Sequence, residues 1–225
     1  PCLSKDSTFL ANNIPFASIV SAAWKLNESI PQHIVENLKR ITGNLFGKNI
    51  LIIIPKSQFC EEEFYGIRSA LENKGVRVIV LSPSGKEAIG MKKDKFQPDG
   101  MIVDWNRQSG VQGKYNVVIV IGGKGARKSL WDDPIVPQIL TDHYRSGRII
   151  GAIGSALVVL VRASLVTGEI PLPKDADSLK ELEILNAVCV DVPVTLVNNV
   201  ILGRGADSVK NFSEQIFHLI ESKEC

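Results

Sequence analysis

A chain of 225 residues with 44% hydrophobic and 22% charged residues is long enough to bury one substantial core. Its formal net charge is only +2, and basic residues alternate with acidic ones, so no nucleic-acid-binding surface is predicted. The longest apolar runs, near residues 49–55 and 149–161, are too short to span a bilayer, so no membrane segment is expected.

The four cysteines, at positions 2, 60, 189 and 225, have no CxxC spacing. Scattered thiols of this kind favour the cytoplasm or another reducing compartment over a disulfide framework, and they predict no metal site. No cofactor is expected. Because the chain begins at Pro1 and not at Met, we expect that an upstream segment has been processed away or omitted.

Residues 1–47 are predicted to form a helical N-terminal arm. Ile34, Leu38, Ile41 and Leu45 recur at spacings of three and four, which is typical of an amphipathic helix. The apolar stripe has two interpretations at this point: it packs on its own domain, or it contacts a partner in an interaction module.

Residues 48–225 are predicted to alternate strands and helices. The predicted elements, in chain order, are the strand "NILIIIP", a helix Glu61–Asn73, the strands "VRVIVLSP", "DGMIVDW" and "YNVVIVIGG", a helix Asp133–Arg145, the strand in "GRIIGAIG", a helix from Ser155, a helix Asp177–Leu185, the strands "VCVDVPVTLVN" and "NVILGRG", and a helix Ala206–Glu221. Continuous apolar strands separated by helices require crossover connections. The pattern therefore predicts a three-layer, doubly wound α/β domain with a mostly parallel sheet.

Three loops at the carboxyl ends of these strands are predicted to form a ligand cleft, because ligands of such sheets bind there. Residues 151–156 are mostly small residues that connect a predicted strand to a predicted helix. Such residues are typical of a nucleophile elbow, but they are also typical of any tight strand-to-helix turn. Gly122 and Gly123 end another strand, and their N–H groups are candidate donors to an anionic oxygen.

The third loop contains three consecutive acids at the start of a helix, in "SQFCEEEFYG". Two of them are expected to be solvated, and one is expected to lean into the cleft, where burial would raise its pKa and suit it to proton transfer. No GxGxxG or GxxxxGK[ST] motif indicates a nucleotide site.

Four segments together resemble the ThiJ/PfpI superfamily of class I glutamine-amidotransferase-like, flavodoxin-like domains. They are "ILIIIPKSQFCEEEFYGIRSALENKGVRVIVLSPSG", "YNVVIVIGGKGARKSLWDDPIVPQIL", "GRIIGAIGSALVVLVRASLVTGE" and "VTLVNNVILGRGADSVKNFSEQIFHLI", and they run in the family's order from about residue 48. The resemblance implies that Glu63 is the family's glutamate and that Gly122 and Gly123 are its glycine pair. It also implies a homodimer.

The segment "AIGSAL" aligns without a gap on the family's Ala-Ile-Cys-His-Gly-Pro. Gly154 then stands at the position of the nucleophilic cysteine, and Ser155 stands at that of the adjacent histidine. Because glycine has no nucleophile, the family's cysteine chemistry is not carried over, and the chain is expected to be a pseudoenzyme.

Other residues are not expected to replace the cysteine. Ser155 lies one residue after the position of the family's cysteine, and it is expected to be a helix N-cap. Cys60 has acidic neighbours that would raise its pKa, although it is close enough to Glu63 to be a ligand contact. His33, His143 and His218 are expected to be surface residues or to have their hydrogen bonds satisfied in the core.

Two main functions remain open at this stage. One is non-catalytic binding of a ligand or partner, in a regulatory or structural role, with a small molecule in the strand-end cleft. The alternative is an atypical hydrolase, hydratase or lyase that acts on a small carbonyl substrate with Glu63 as general acid or base, together with Ser155 or water. Three basic residues follow the glycine pair: Lys124, Arg127 and Lys128. They indicate either an anionic ligand or a solvated start of a helix.

Overall fold

The structure is a computed structural model that describes residues 45, 47–109, 111, 113–166 and 168–222. The predicted helical arm, residues 1–47, lies almost wholly outside the described residues. The strands are β1 (Asn49–Ile53), β2 (Ser57–Phe59), β3 (Arg77–Ser82), β4 (Ala88–Gly90), β5 (Lys95–Phe96), β6 (Gly100–Met101), β7 (Val117–Val120), β8 (Ile149–Ile153), β9 (Glu169–Pro171), β10 (Val188–Val190), β11 (Val194–Val197) and β12 (Val200–Gly203). The α-helices are α1 (Glu61–Glu72), α2 (Ala126–Ser129), α3 (Ile135–Arg145), α4 (Leu157–Arg162), α5 (Ala176–Ile184) and α6 (Val209–Ser222).

The main sheet has the strand order β11-β12-β8-β7-β1-β3-β6. Its pairs are parallel except that of β11 with β12, which is antiparallel. The predicted doubly wound, mostly parallel sheet is thus confirmed. The apolar runs of its strands are buried because helices cover both faces of the sheet.

The two faces of the sheet are covered by different helices. Along β1, Leu51 and Ile53 belong to the same apolar cluster as Ile139 of α3 and Leu157 of α4. Because successive strand residues point to opposite faces, the buried residues between them belong to the other face. On that side α1 and α6 contact each other, and they contact β3 and β12 respectively. The domain therefore has three layers.

Two predicted strands are wrong in detail. The segment "VCVDVPVTLVN" is two strands, of which β10 pairs with β9 in a separate two-stranded sheet and β11 forms the edge of the main sheet. Pro193 lies between them and has no N–H to donate to a ladder. The segment "DGMIVDW" is a strand only over β6 and continues as a 3-10 helix, Ile102–Arg107.

Three helices begin at residues close to those predicted. Asp133 Oδ1 accepts from the backbone N–H groups of Ile135 and Val136, at 2.8 and 3.1 Å, at the start of α3. Asp175 caps α5 by accepting from Ser178 N at 2.9 Å, so that helix begins one residue earlier than predicted. The last predicted helix begins with a 3-10 turn, Ala206–Ser208, before α6.

The carboxyl ends of the central parallel strands meet at one edge of the sheet. The chain leaves β1 for β3 on one side and later returns to β7 on the other side of β1. This reversal of strand order opens a crevice between the loops that follow β1 and β7, where ligands of such sheets bind. The turn after β8 borders the same crevice.

Candidate functional site

The turn between β8 and α4 is built on Gly154, the first residue of a 3-10 helix, Gly154–Ala156. The φ angle of Gly154 is +61°, in the left-handed region that side chains disfavour. The preceding residue, Ile153, is extended, so the chain reverses direction sharply at this point. This reversal presents the α-carbon of Gly154 to the crevice.

The carboxyl group of Glu63 occupies the space in front of Gly154. A Cβ atom built on Gly154 would overlap Oε1 of Glu63. Glu63 lies in the first turn of α1 and is only 5% exposed, and its Oε2 accepts from the backbone N–H of Gly122 at 3.1 Å. Burial raises the pKa of Glu63 to about 7, and the hydrogen bond from Gly122 offsets part of that rise. Glu63 can therefore hold or release a proton near neutral pH.

The glycine pair after β7 differs from its predicted role. The backbone N–H of Gly122 donates to Glu63, and that of Gly123 donates to Ser155 Oγ at 2.9 Å. Both predicted anion donors are therefore used within the protein. Gly123 has φ +115°, and a Cβ atom there would lie 2.6 Å from Cys60 N, so glycine is required by the close approach of the loop that carries Cys60.

Ser155 links two loops and does not cap a helix as predicted. Its Oγ donates to the carbonyl oxygen of Gly123 at 2.8 Å while accepting from the N–H of the same residue. The carbonyl oxygen of Ser155 accepts from Nε1 of Trp131 at 2.8 Å. With its hydroxyl bonded in both directions, Ser155 holds the turn after β8 against the loop after β7.

Cys60 precedes α1 and borders the same crevice. Its backbone N–H donates to the carbonyl oxygen of Gly122 at 3.1 Å, and its thiol offsets part of the rise in the pKa of Glu63. Burial, and then the charge of Glu63, raise the pKa of the Cys60 thiol to about 11. The thiol is therefore almost entirely protonated at neutral pH and is a weak nucleophile.

The three acids of α1 are not distributed as predicted. Only Glu62 is exposed, and it pairs with Lys92 at 2.5 Å. Glu61 is 4% exposed, and its Oε1 accepts from the backbone N–H of Lys92 at 2.5 Å. The prediction of two solvated acids is therefore wrong by one residue, and Glu63 is the acid that faces the crevice.

The described histidines lie away from the crevice. His143 is fully buried in α3, where Nε2 accepts from the N–H of Tyr115 at 3.2 Å and Nδ1 lies 2.6 Å from the carbonyl oxygen of Ile139. Burial lowers its pKa. His218 is exposed on α6. His33 lies outside the described residues.

The crevice is a cavity of about 1030 Å³. Its lining includes Cys60, Glu63, Gly123, Gly154 and Ser155, so the structure brings these predicted site residues together. Gly122 is not part of the lining, but its backbone N–H donates to Glu63. Other lining residues were not predicted individually as site residues; they come from α5 and from the loops after β7 and β12: Trp131, Asp175, Asp177, Glu181 and Arg204. The acidic N-cap of α5 was a sequence signal for Asp175. Within the described ranges no group of three His, Cys, Asp or Glu side chains could hold a metal ion.

The sequence pattern of the DJ-1/PfpI family matches residues 48–219. The chain belongs to this family. The proteins that it resembles include an uncharacterised protein of Methanocaldococcus jannaschii, 26% identical over 83% of this chain and 89% of that protein, and protein dj-1beta of Drosophila melanogaster, 25% identical over 78% and 90%. A third is glutathione-independent glyoxalase DJR-1.2 of Caenorhabditis elegans, 24% identical over 79% and 91%.

Solved DJ-1/PfpI structures share the fold. The ThiJ/PfpI domain protein of Brachyspira murdochii has a TM-score of 0.68 at 21% identity, covering 79% of this chain and 98% of that one. The Drosophila DJ-1beta structure has a TM-score of 0.66 at 24% identity, covering 79% and 92%. At these identities the likeness establishes the architecture alone. Among the described residues, no helix has the length and apolarity needed to cross a membrane.

Proposed function

We propose that this member of the DJ-1/PfpI family binds a small molecule in its strand-end cavity and performs no nucleophilic catalysis. The observation that carries the proposal is that Gly154, at the turn between β8 and α4, has no side chain. The family resemblance gives this position to the nucleophilic cysteine. The role is regulatory or structural. By the same resemblance we propose a homodimer, which sedimentation analysis tests.

The two neighbouring candidates for a substitute nucleophile are unsuited to that role. The Ser155 hydroxyl donates its proton to the carbonyl oxygen of Gly123, and no histidine among the cavity-lining residues that the structure describes could accept that proton. The Cys60 thiol has its pKa raised to about 11. A covalent mechanism therefore lacks a reactive side chain.

The cavity itself remains suited to binding. Its volume of about 1030 Å³ is large enough for a small organic ligand. It combines the apolar faces of Met91 and Trp131 with the polar groups of Glu63 and Cys60. Loss of a nucleophile removes the reaction without removing these contacts.

A cavity-narrowing variant tests the binding proposal. Ala176, exposed at the start of α5, lines the cavity, so Ala176→Trp should obstruct it in part; Lys210→Trp, on the exposed side of α6, is the matched control. In a thermal-shift screen of small metabolites, ligands should stabilise the wild type and the control more than Ala176→Trp. A ligand that stabilises all three proteins equally binds elsewhere and would contradict the proposal.

A second candidate function rests on Glu63. A carboxyl group with its pKa raised to about 7, lining a cavity, is suited to general acid or base catalysis near neutral pH. In a hydratase reaction, ionised Glu63 would take a proton from water while the water oxygen bonds to a substrate carbonyl carbon. The carbonyl oxygen would then receive the proton from Glu63. This candidate requires no nucleophilic side chain.

One assay separates the two functions. The wild type, Glu63→Gln and Gly154→Cys are tested on aldehydes, amides and nitriles, with 2-oxoaldehydes included because one relative is named a glyoxalase. Ligand binding without catalysis predicts an inactive wild type and activity that appears only in Gly154→Cys. Turnover by the wild type that is lost in Glu63→Gln would establish the second candidate instead.

A further inference from the structure

The positive charge of the cavity is not distributed evenly. Six basic and five acidic side chains line it. Three of the basic side chains, Lys124, Arg127 and Lys128, lie within five consecutive residues after the glycine pair, and all three are exposed. We call these three residues the basic rim.

The remaining basic side chains of the cavity are neutralised by acids close to them. Arg162 pairs with Asp132, and its Nη2 lies 2.5 Å from Glu181. Lys174 lies 3.1 Å from Asp207. Arg204 contacts Asp191 and Asp207, each at 2.6 Å. These cations are therefore already paired before any ligand enters.

Acidic side chains neutralise much less of the positive charge of the basic rim. Arg127 lies 3.3 Å from Asp177, and both side chains are more than half exposed. Among the residues that the structure describes, no acidic partner lies within ion-pair distance of the ammonium groups of Lys124 and Lys128. Two uncompensated cations thus flank one side of the cavity mouth, where they would attract an anion.

The floor of the cavity has the opposite character. Glu63 and Cys60 lie there, next to Gly154, and Asp175 stands in the wall. An anionic group would be repelled by the carboxylates, whereas a hydroxyl or carbonyl oxygen can exchange a hydrogen bond with the carboxyl group of Glu63. Lys124, Lys128 and Glu63 line the same cavity, so a ligand that occupies it meets both environments.

We infer that the ligand is a small organic monocarboxylate that also carries a hydroxyl or carbonyl oxygen. Its carboxylate contacts Lys124 and Lys128, and its second oxygen points toward Glu63 and Gly154. A second carboxylate on the ligand would meet Glu63 and Asp175, so the ligand carries only one. This inference rests on the proposed binding function and specifies its ligand class.

The test uses probes that differ only in charge. Glycolate, lactate and pyruvate are titrated against their neutral amides, with binding followed through the backbone amide NMR signals of residues 122–129 and 154–156. Each carboxylate should bind about tenfold more tightly than its amide, since charge-assisted contacts with two ammonium groups contribute that much. Added sodium chloride should weaken the carboxylates and leave the amides unchanged.

Matched variants locate the effect. The double variant Lys124→Ala, Lys128→Ala should remove the preference for carboxylates. The control double variant Lys86→Ala, Lys210→Ala, which changes two exposed lysines outside the cavity lining, should keep it. Inorganic phosphate should bind more weakly than lactate. Phosphate binding of equal strength would mean that the rim recognises charge alone, and it would overturn the carboxylate assignment.

The two proposals fail in different ways. Amides that bind the cavity as tightly as carboxylates would overturn this inference while leaving the binding function intact. Failure of every carboxylate to shift the cavity signals would also overturn it. The binding function is decided separately, by the metabolite screen with Ala176→Trp.

Discussion

The carboxyl group of Glu63 lies against the α-carbon of Gly154, in the space that a side chain at position 154 would need. The carboxyl group of Glu63 and the residue at position 154 are thus coupled by sterics. A residue placed at 154 must displace Glu63 or distort the turn after β8. The coupling gives measurable consequences for stability.

Gly154→Ala should lower the free energy of unfolding by about 2–3 kcal/mol. About 1–2 kcal/mol arises because an L-residue must adopt a left-handed backbone, and the rest arises from overlap with Glu63. Gly147→Ala is the matched control, because Gly147 has φ +70° and a Cβ atom there meets nothing within 4 Å. Chemical denaturation measures both. Equal losses in the two variants would mean that Glu63 moves aside at no cost.

The raised pKa of Glu63 predicts a pH dependence of stability. A carboxyl group that binds its proton more tightly in the folded chain destabilises the fold as the pH rises from its ordinary pKa of 4.5 to about 7. Glu63→Gln removes this penalty, which reaches about 3 kcal/mol above pH 7. The variant should therefore gain stability relative to the wild type between pH 5 and pH 8.

Chemical denaturation of the wild type and of Glu63→Gln, at pH 5 and at pH 8, measures this gain in stability. His143, whose pKa burial lowers, contributes the opposite slope, but it does so in both proteins and cancels. Glu62→Gln is the control, since Glu62 is exposed and its pKa is lowered by Lys92. A stability difference between wild type and Glu63→Gln that does not change with pH would show that Glu63 is ionised throughout.

The sheet was predictable from sequence because its central strands are apolar on both faces, a pattern that few other structures require. The division of one predicted strand into β10 and β11 could not be predicted from sequence. Both strands are rich in β-branched residues, and their membership in different sheets is decided by their pairing partners, β9 and β12. Local pattern contains no information about such pairing.

The site was predictable only in part, for a similar reason. Three adjacent glutamates are equivalent in sequence, yet Glu61 is buried because Gly90 has no Cβ atom, which would overlap the Glu61 carboxyl group. The N–H groups of the glycine pair looked free because their acceptors, Glu63 and Ser155, are 59 and 32 residues away. Tertiary contacts, which no spacing rule encodes, decide which polar groups remain available.

Ser155→Ala should destabilise the protein by about 1–3 kcal/mol, because the N–H of Gly123 loses its acceptor in a mostly buried site, while the carbonyl oxygen of Gly123 keeps only the hydrogen bond from Ala126 N. The control is Ser222→Ala, which removes an exposed hydroxyl bonded to the carbonyl oxygen of Leu219. Thermal or chemical denaturation compares them. If Ser155→Ala proves as stable as the control, the hydroxyl does not hold the two loops together.

Cys60 should react slowly with iodoacetamide at neutral pH. With its pKa raised to about 11, about one thiol in ten thousand is ionised at pH 7. Alkylation of the Cys60 peptide, followed by mass spectrometry, should therefore accelerate with pH beyond pH 10, and it should be about a hundredfold faster in the denatured chain, where the ordinary pKa is 9.0.

Glu63→Gln provides the mechanistic control for this measurement. Burial is the main cause of the raised pKa of Cys60, and the charge of Glu63 is the second. Removing that charge should accelerate alkylation of Cys60 at pH 8 while leaving Cys189 unchanged, since Glu63 does not contribute to the raised pKa of Cys189. A Cys60 rate that levels off below pH 9 would reveal an activated thiol, and the cavity would then contain the nucleophile that Gly154 lacks.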